Sequence, residues 1–441
     1  MSGASISAVL SGDALITRPY SPRADERLAE LLASVDVRFS NLEMLLNNYG
    51  GTPMVEAGGL HLSAPPSIGR ELMDLGFNIF ATANNHSLDS GTDGLQFHIE
   101  AMRSLEMKYA GVGDALGEAS APVYLDTAAG RVALISCASS FATGHRAGER
   151  RNDFVGRPGL NPLRVKTTIK LDDEQYGWLQ QISESIGVAE ANRWVEEMEF
   201  RKPPEDPENQ MYFLGRSALE GTLFERAESS GIETKPHPAD LERITTEIAH
   251  AKRQADLVIV SIHAHESDVQ IEKPAQFIKE FGRACIDAGC DIVTGSGPHI
   301  MRGIEIHDGK PIFYSLGNLW FEFETVNLLP ADSYEMWRVD TQDSTPADVY
   351  DNGLLGFHKD VRYWECALPR CEFVDGELKN IDLHCYSSGT VSSAVGVVRR
   401  ALRRLKMPSE SSAMSMTCPA SSASKSRSRT VLARCCYRSV R

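Results

Sequence analysis

The chain has 441 residues, of which 42% are hydrophobic and 24% are charged. This composition is typical of a folded protein with two or three domain-sized units, and it excludes a fibrous or largely disordered chain. The formal net charge of -15 disfavours binding to nucleic-acid phosphates, so we expect no nucleic-acid partner.

The predicted elements alternate between short β-strands and amphipathic helices. Strand-like runs cover residues 4–10, 36–39, 77–82, 132–137, 257–262 and 291–294. Apolar residues recur every three or four positions over residues 24–33, 67–75, 93–105, 238–253 and 274–288, which predicts helices. Strands and helices that alternate in this way predict an α/β fold.

The alternation divides the chain into four segments. Residues 1–143 and 239–400 form two halves of one α/β domain, which ends with a hairpin signal at Asp375-Gly376. Residues 144–238 lose the alternation and contain Arg, Glu and Pro clusters, so we interpret them as a helical insertion or lid. Residues 401–441 are predicted to be a disordered basic tail, because positions 411–441 hold six Lys or Arg and no acidic residue. A basic interaction arm and a frameshift or cloning artefact would both explain this tail, and its abrupt start favours the artefact.

Signals for export and membrane insertion are missing from the sequence. No window contains the roughly 18 consecutive apolar residues of a membrane span, and the first residues lack a basic segment before an apolar one. We therefore expect a cytoplasmic protein with no membrane span. The nine cysteines show no CxxC spacing, which disfavours a disulfide framework or a zinc ribbon.

Side chains capable of metal binding or proton transfer follow several of the predicted strands. They are Asp13, Glu43, Asn85, His86, His263, His265 and His299. Because ligands bind beyond the carboxyl ends of parallel strands, these side chains should converge at one edge. Carboxylate, amide and imidazole ligands together suit Mn, Fe or Zn, and their number predicts two divalent metal ions that share a carboxylate.

Each motif also has a simpler explanation. Gly12-Asp13 and Asn84-Asn85 are common turn dipeptides, and Pro298-His299 could simply close a loop. The run His263-Ala264-His265 is more specific, since it puts two imidazoles on one face of a strand. The joint pattern therefore favours a metal site more strongly than any single motif does.

Six motifs occur in a characteristic order and spacing. They are Gly12-Asp13, Asn41-Leu42-Glu43, Asn84-Asn85-His86, Ser261-Ile262-His263, the run from Gly295 to His299, and Tyr314-Ser315-Leu316-Gly317-Asn318. Together they resemble the CapA family of poly-γ-glutamate capsule synthesis proteins, which have a metallophosphatase-like (calcineurin-like) fold. The resemblance implies a four-layer α/β/β/α sandwich with a dinuclear metal centre at the strand ends.

The resemblance also implies a role for each ligand. Asp13 would be the first-strand ligand, Glu43 the bridging carboxylate and Asn85 the amide ligand. His263 and His299 would be the later histidine ligands.

One position departs from the family pattern. Ser296 stands where the family commonly has a histidine. Either one of the two ions is held by a weaker set of ligands, or His265 replaces the missing histidine as a ligand.

We expect a metal-dependent hydrolase in which a metal-bound hydroxide attacks an amide bond, such as a γ-glutamyl amide, or a phosphoester. His86 would be the general acid, oriented by Asp89. The substrate would be a small molecule or a γ-glutamyl-type compound. Two alternatives stay open: a non-catalytic component of poly-γ-glutamate capsule assembly, and a phosphatase or phosphodiesterase. The sequence carries no signal of an oligomeric state.

Overall fold

The computed structural model describes residues 5–19, 26–217, 220–387 and 403–406. Their contacts group the chain into two units. The first unit comprises Met1–Leu163, Ala239–Pro274 and Phe281–Arg441, and the second comprises Arg164–Pro238 and Ala275–Glu280.

The described residues form β-strands of two to eleven residues. In chain order they are β1 (Ser5–Leu15), β2 (Val37–Leu42), β3 (Ile79–Ala81), β4 (Tyr109–Ala110), β5 (Val112–Gly113), β6 (Val123–Thr127), β7 (Gly130–Ala138), β8 (Gly159–Leu160), β9 (Val165–Leu171), β10 (Gln210–Ser217), β11 (Glu220–Arg226), β12 (Gly231–Pro236), β13 (Leu257–His263), β14 (Ile292–Ser296), β15 (Ile304–His307), β16 (Lys310–Phe313), β17 (Asn318–Phe321), β18 (Glu365–Val374), β19 (Glu377–Ser387) and β20 (Arg403–Lys406).

The α-helices connect many of these strands. They are α1 (Glu26–Ala33), α2 (Ser67–Leu75), α3 (Gly91–Ser104), α4 (Leu116–Ser120), α5 (Asp173–Ser185), α6 (Val188–Glu197), α7 (Pro238–Lys252), α8 (Gln276–Asp287), α9 (Ala331–Met336) and α10 (Pro346–Gly353). Within the part of the chain that the structure describes, none of these helices has the length and apolar character needed to cross a membrane.

The first unit contains two large sheets. One has the strand order β20-β19-β18-β1-β2-β3-β4, with β17 also paired to β1, and its strands β1 to β4 are parallel. The other has the order β15-β16-β14-β13-β7-β6, and its central strands β7, β13, β14 and β16 are parallel. The predicted α/β class is therefore confirmed.

The core explains why the central strands read as continuous apolar runs. One hydrophobic cluster holds Ile6 and Phe39 from the first sheet together with Leu134 and Ile259 from the second. Another cluster holds residues of α1, α2 and α3, including Ile68, against the first sheet. A parallel strand that is covered on both faces is mostly apolar at successive positions rather than at alternate ones. Strand β13 is such a strand, since all seven of its residues are buried.

The structure corrects one strand boundary that matters for the site. The strand predicted over residues 4–10 runs to Leu15, so Asp13 lies inside β1 rather than beyond its end. The register of β1 against β2 shifts between Leu10 and Asp13, and from Asp13 onward β1 also pairs with β17. The extra partner strand extends β1 past the polar residues that ended the sequence-based prediction.

Other local predictions are confirmed. The helix predicted over residues 67–75 has the bounds of α2, and the hairpin around Asp375-Gly376 is formed by β18 and β19. Cys137, Cys285 and Cys290 form no disulfide and are buried, as expected of small apolar side chains.

The prediction of a helical insertion is wrong in its secondary structure. The second unit contains a four-stranded sheet, in the order β10-β11-β9-β12, as well as helices α5 and α6. Strand β9 has the sequence VKTTIKL, in which β-branched residues favour an extended chain. Residues 144–163 group with the first unit, and a function as a lid stays a prediction.

The predicted disordered tail is wrong for one short stretch. Arg403–Lys406 pairs antiparallel with β19, because the edge of a sheet offers free main-chain groups to any extended segment. Residues 401–402 and 407–441 lie outside the described residues.

A buried histidine links helix α3 to the loop after β2. His98 is 2% exposed, and its Nδ1 accepts a hydrogen bond of 2.9 Å from the main-chain N–H of Leu46. Burial lowers the pKa of His98 to about 3. The ring is therefore neutral in the folded protein at any pH where the protein is normally handled.

We predict that His98 makes folding sensitive to acid. An unfolded histidine takes up a proton below about pH 6.5, whereas folded His98 does not, so the free energy of unfolding falls by up to about 1.4 kcal/mol per pH unit from pH 6.5 toward pH 3. His98→Asn keeps an acceptor for Leu46 but does not titrate. The variant should be less stable than the wild type at pH 7, and this difference should narrow at pH 6 and pH 5 in urea unfolding. A difference that stays constant with pH would contradict the assignment.

Candidate metal centre

The strands of the first unit carry the predicted ligands to one place. Asp13 is in β1, and Glu43 directly follows the neighbouring strand β2. His263 is the last residue of β13, and His299 follows the neighbouring strand β14. The site therefore lies where strand ends from both sheets meet.

The side chains form two overlapping groups with metal-binding geometry. Asp13, Glu43 and His263 make one group, and Glu43, His265 and His299 make the other; within each, one ligand atom per residue lies within 4.8 Å of the others. Glu43 Oε1 is 3.5 Å from His263 Nε2 and 3.8 Å from His299 Nε2. Glu43 thus belongs to both groups.

A glycine allows Asp13 to reach the centre of this cluster. A Cβ on Gly12 would lie 1.8 Å from the carbonyl oxygen of Gly317, which accepts a hydrogen bond from Asp13 N at 3.0 Å. The Asp13 carboxylate accepts hydrogen bonds from Asn41 Nδ2 at 2.7 Å and from Gly297 N at 3.1 Å. The backbone and Asn41 together fix the orientation of this carboxylate.

Glu43 has no comparable support. Its side chain is fully buried, and neither carboxylate oxygen has a hydrogen-bond partner among the described residues. Burial raises the pKa of Glu43 well above its usual range, and repulsion from Asp13 and Asp89 raises it further. Burial also raises the pKa of Asp13. Because a buried carboxylate without a partner is costly, this arrangement fits a bound divalent cation.

Burial favours the neutral form of the three histidines, which is the form that can bind a metal ion. Burial lowers the pKa of His263 and of His265 well below the usual range, and it lowers the pKa of His299. His263 Nδ1 lies 3.0 Å from Ser296 Oγ, while its Nε2 lies 3.1 Å from His265 Nε2. Ser296 therefore contacts His263 from the side away from Glu43.

The position of His299 requires an unusual backbone conformation. Its φ is 59°, a left-handed conformation that costs a non-glycine residue about 1 kcal/mol. Asn318 holds it there: Asn318 Oδ1 lies 2.9 Å from His299 Nδ1, and Asn318 Nδ2 donates to the His299 carbonyl at 3.1 Å. One amide side chain thus fixes both the ring and the backbone.

His265 is supported by a buried arginine. Arg302 is 1% exposed; its Nη2 donates to the His265 carbonyl at 3.1 Å and its Nε donates to the Ile271 carbonyl at 3.0 Å. Burial lowers the pKa of Arg302 to about 10, so it remains a cation at neutral pH. Arg302 positions the loop after β13.

His86 and Asp89 form a hydrogen-bonded pair beside the cluster. His86 Nδ1 lies 2.7 Å from Asp89 Oδ2, and the Asp89 carboxylate also accepts hydrogen bonds from the main-chain N–H groups of Gly58 and Leu62. This pairing leaves His86 Nε2 as the nitrogen that can exchange a proton with a ligand.

Asn85 is anchored by its amide nitrogen only. Asn85 Nδ2 donates to the Gly58 carbonyl at 2.9 Å, and Asn85 Oδ1 is buried with no partner among the described residues. An amide oxygen that makes no hydrogen bond is available to bind a metal ion.

Trp320 and Phe321 are consecutive residues of β17, but their side chains have different surroundings. Trp320 packs edge-on against Phe77, 6.0 Å between ring centroids. The Phe321 ring lies 4.8 Å from the His299 ring and lines a cavity. Successive residues of β17 point to opposite faces, which explains the difference.

Sequence reasoning missed the partners of the ligands. Asn41 and Asn318 lie in motifs that were recognised, but their contacts depend on strands far apart in the chain. Arg302 had no recognisable signal, because a single arginine after a loop gives no sign of burial.

Comparison with known proteins assigns the chain to a family. The family model described as "Bacterial capsule synthesis protein PGA_cap" matches residues 7–322. The uncharacterized protein y4sH of Sinorhizobium fredii is 32% identical over 393 residues, which cover 85% of this chain and 81% of that protein.

Two relatives with shorter matches carry functional names. The PGA biosynthesis protein CapA of Bacillus subtilis is 35% identical over 132 residues, 26% of this chain and 33% of that protein. The capsule biosynthesis protein CapA of Bacillus anthracis is 24% identical over 264 residues, 60% of this chain and 44% of that protein. The family model spans most of the first unit and includes all the candidate ligands, and the chain belongs to the PGA_cap family of bacterial capsule synthesis proteins.

Proposed function

We propose that this protein is a metal-dependent hydrolase of the CapA type that cleaves an amide, such as a γ-glutamyl amide, or a phosphoester. The observation that carries the proposal is the buried Glu43, which belongs to two ligand groups and has no hydrogen-bond partner among the described residues. Two cations beside Glu43 would supply the positive charge that its buried carboxylate lacks, which an uncharged neighbour could not do.

The proposal includes the metallophosphatase-like four-layer sandwich. A hydrophobic cluster shared by the two sheets supports it, as do helices on the far face of the first sheet. On the second sheet, Gly282 of α8 lies against Ile312 of β16. Two sheets between two helix layers would bring the ends of β1, β2, β13 and β14 together.

In this proposal the ligands divide between two ions. Asp13, Glu43 and His263 would hold one ion, whereas Glu43, His265 and His299 would hold the other, with Asn85 as a further ligand. His265 then takes the place of the histidine that Ser296 replaces. A bound divalent ion such as Mn, Fe or Zn supplies Lewis acidity and lowers the pKa of water.

His86 and Asp89 would handle the proton. Asp89 accepts a hydrogen bond from His86 Nδ1, which leaves Nε2 as the nitrogen that would carry a proton for the leaving group. His86 would give that proton to the leaving group and prevent an unstable anion from forming. Asp89 would act as a positioning residue.

The names of the relatives favour a second candidate. Two of them are named for the biosynthesis of PGA or of a capsule. A non-catalytic component of poly-γ-glutamate assembly would use the same fold without turnover. Assays with γ-glutamyl-p-nitroanilide, p-nitrophenyl phosphate and bis-p-nitrophenyl phosphate separate the candidates, since a non-catalytic component hydrolyses none of them at any metal loading.

We predict the metal content of the wild type and of three variants, all purified without chelators. The wild type should hold about two equivalents of Mn, Fe or Zn by elemental mass spectrometry. Glu43→Gln should lose both ions, because both ligand groups need this carboxylate, whereas His265→Ala should keep about one. His98→Asn is the matched control, since it changes a buried histidine outside the cluster and should keep both.

Two results would contradict this division of ligands. Glu43→Gln with full metal content would remove Glu43 as the bridge. Wild-type protein with no metal after reconstitution would exclude the hydrolase mechanism and favour the assembly component.

We predict that the effect of replacing His86 on kcat depends on the leaving group of the substrate. His86→Gln should reduce kcat by roughly 10²- to 10⁴-fold for a substrate with a poor leaving group, such as an alkyl ester or alkyl amide. The loss should be much smaller for a nitrophenolate, which leaves without a proton. Metal content and circular dichroism should match the wild type. Equal losses for both leaving groups would contradict a general-acid function for His86.

A further inference from the structure

A cavity of about 630 Å³ adjoins the candidate metal centre within the first unit. His86 and His299 form part of its wall. Its volume lies within the range of about 300–1,000 Å³ that is typical of small-molecule sites. A molecule in this cavity would therefore have one end beside the candidate ligands.

Aromatic rings cover the wall outward from His299. The Phe321 ring contacts His299, and its centroid is 5.2 Å from that of Phe357, which in turn is 4.8 Å from Tyr363. Trp337 also lines the cavity. Such rings bind another aromatic ring through edge or offset contacts in addition to apolar burial.

The wall offers no cation to an acidic ligand. Among the described residues that line the cavity, none is Lys or Arg, and Asp360 is the one carboxylate. Arg362 Nε donates to both oxygens of Asp360, at 3.0 and 2.9 Å, and these bonds lower the pKa of Asp360. Asp360 is therefore charged but already paired, and an anionic chain would lose hydration here without gaining a partner.

From this wall we infer that the substrate carries an uncharged aromatic group next to its reacting bond, and that the cavity beside His299 binds this group. The inference rests on the proposed hydrolase function for the reacting end, whereas binding of the aromatic end depends on the cavity alone. A γ-linked glutamate polymer has a carboxylate on every residue, and it does not match an aromatic wall in which no described Lys or Arg could pair with those carboxylates. The cavity thus selects a small aromatic amide or ester over the polymer.

Gly356 provides a way to block the cavity. It lines the cavity, and an added Cβ at this position meets no atom within 4 Å. Gly356→Trp should therefore fold and occupy the space that the aromatic group would take. Gly356→Ala is the matched control, because it adds a methyl group without filling the cavity.

The test compares phenylphosphonate with methylphosphonate on manganese-loaded protein by calorimetry. Both probes have the same metal-binding end, so their affinity ratio reports the cavity. Phenylphosphonate should bind at least about tenfold more tightly to the wild type and to Gly356→Ala. In Gly356→Trp the ratio should fall to about one, with the affinity of methylphosphonate unchanged.

Equal affinities for the two phosphonates in the wild type would overturn the inference. So would a penta-γ-glutamate that binds more tightly than phenylphosphonate and loses affinity in Gly356→Trp. A neutral probe, p-cresol, tests the cavity alone, because its binding needs no metal. It therefore distinguishes a cavity that does not bind aromatic groups from a metal centre that does not bind phosphonates. Saturation-transfer NMR on metal-free protein should detect p-cresol with the wild type and Gly356→Ala but not with Gly356→Trp, and no signal with the wild type would also overturn the inference.

Discussion

Two buried carboxylates lie close together, Asp13 in β1 and Glu43 directly after the neighbouring strand β2, and the surrounding structure has to offset their charge. Asp13 receives hydrogen bonds from Asn41 and from the backbone at Gly297. Glu43 has no such partner among the described residues, although it is fully buried. Burial of this kind is tolerated when a cation or a proton completes the group. The histidines around Glu43 are the means by which a cation could be held.

Residues outside the ligand groups give the histidines their orientation. Ser296 contacts the ring of His263, and Asn318 fixes both the ring and the strained backbone of His299. Arg302 holds the loop that carries His265. Each partner comes from a different segment from its histidine, so the geometry of the cluster depends on the packing of the whole first unit.

The aromatic cavity and the candidate centre have opposite chemistry. The cluster is polar and acidic, whereas the adjoining wall consists largely of rings such as Phe321 and Phe357. Charged groups at one end and an apolar wall at the other select a ligand by both of its ends. The capsule names belong to the relatives, whereas the cavity is a property of the present chain.

The sequence by itself determined the α/β class and the types of candidate ligand, because strand periodicity and polar strand ends are local features. The structure then placed Asp13 inside β1, Glu43 directly after the neighbouring strand β2, and His263 at the end of β13 in the other sheet. Only the tertiary structure decided that His265 and His299 form a second group with Glu43 and that Phe321 faces the cavity. It also revealed the sheet in the second unit, which charge and proline clusters had obscured. These features depend on contacts between distant segments, and no local pattern encodes the distance between two side chains from different strands.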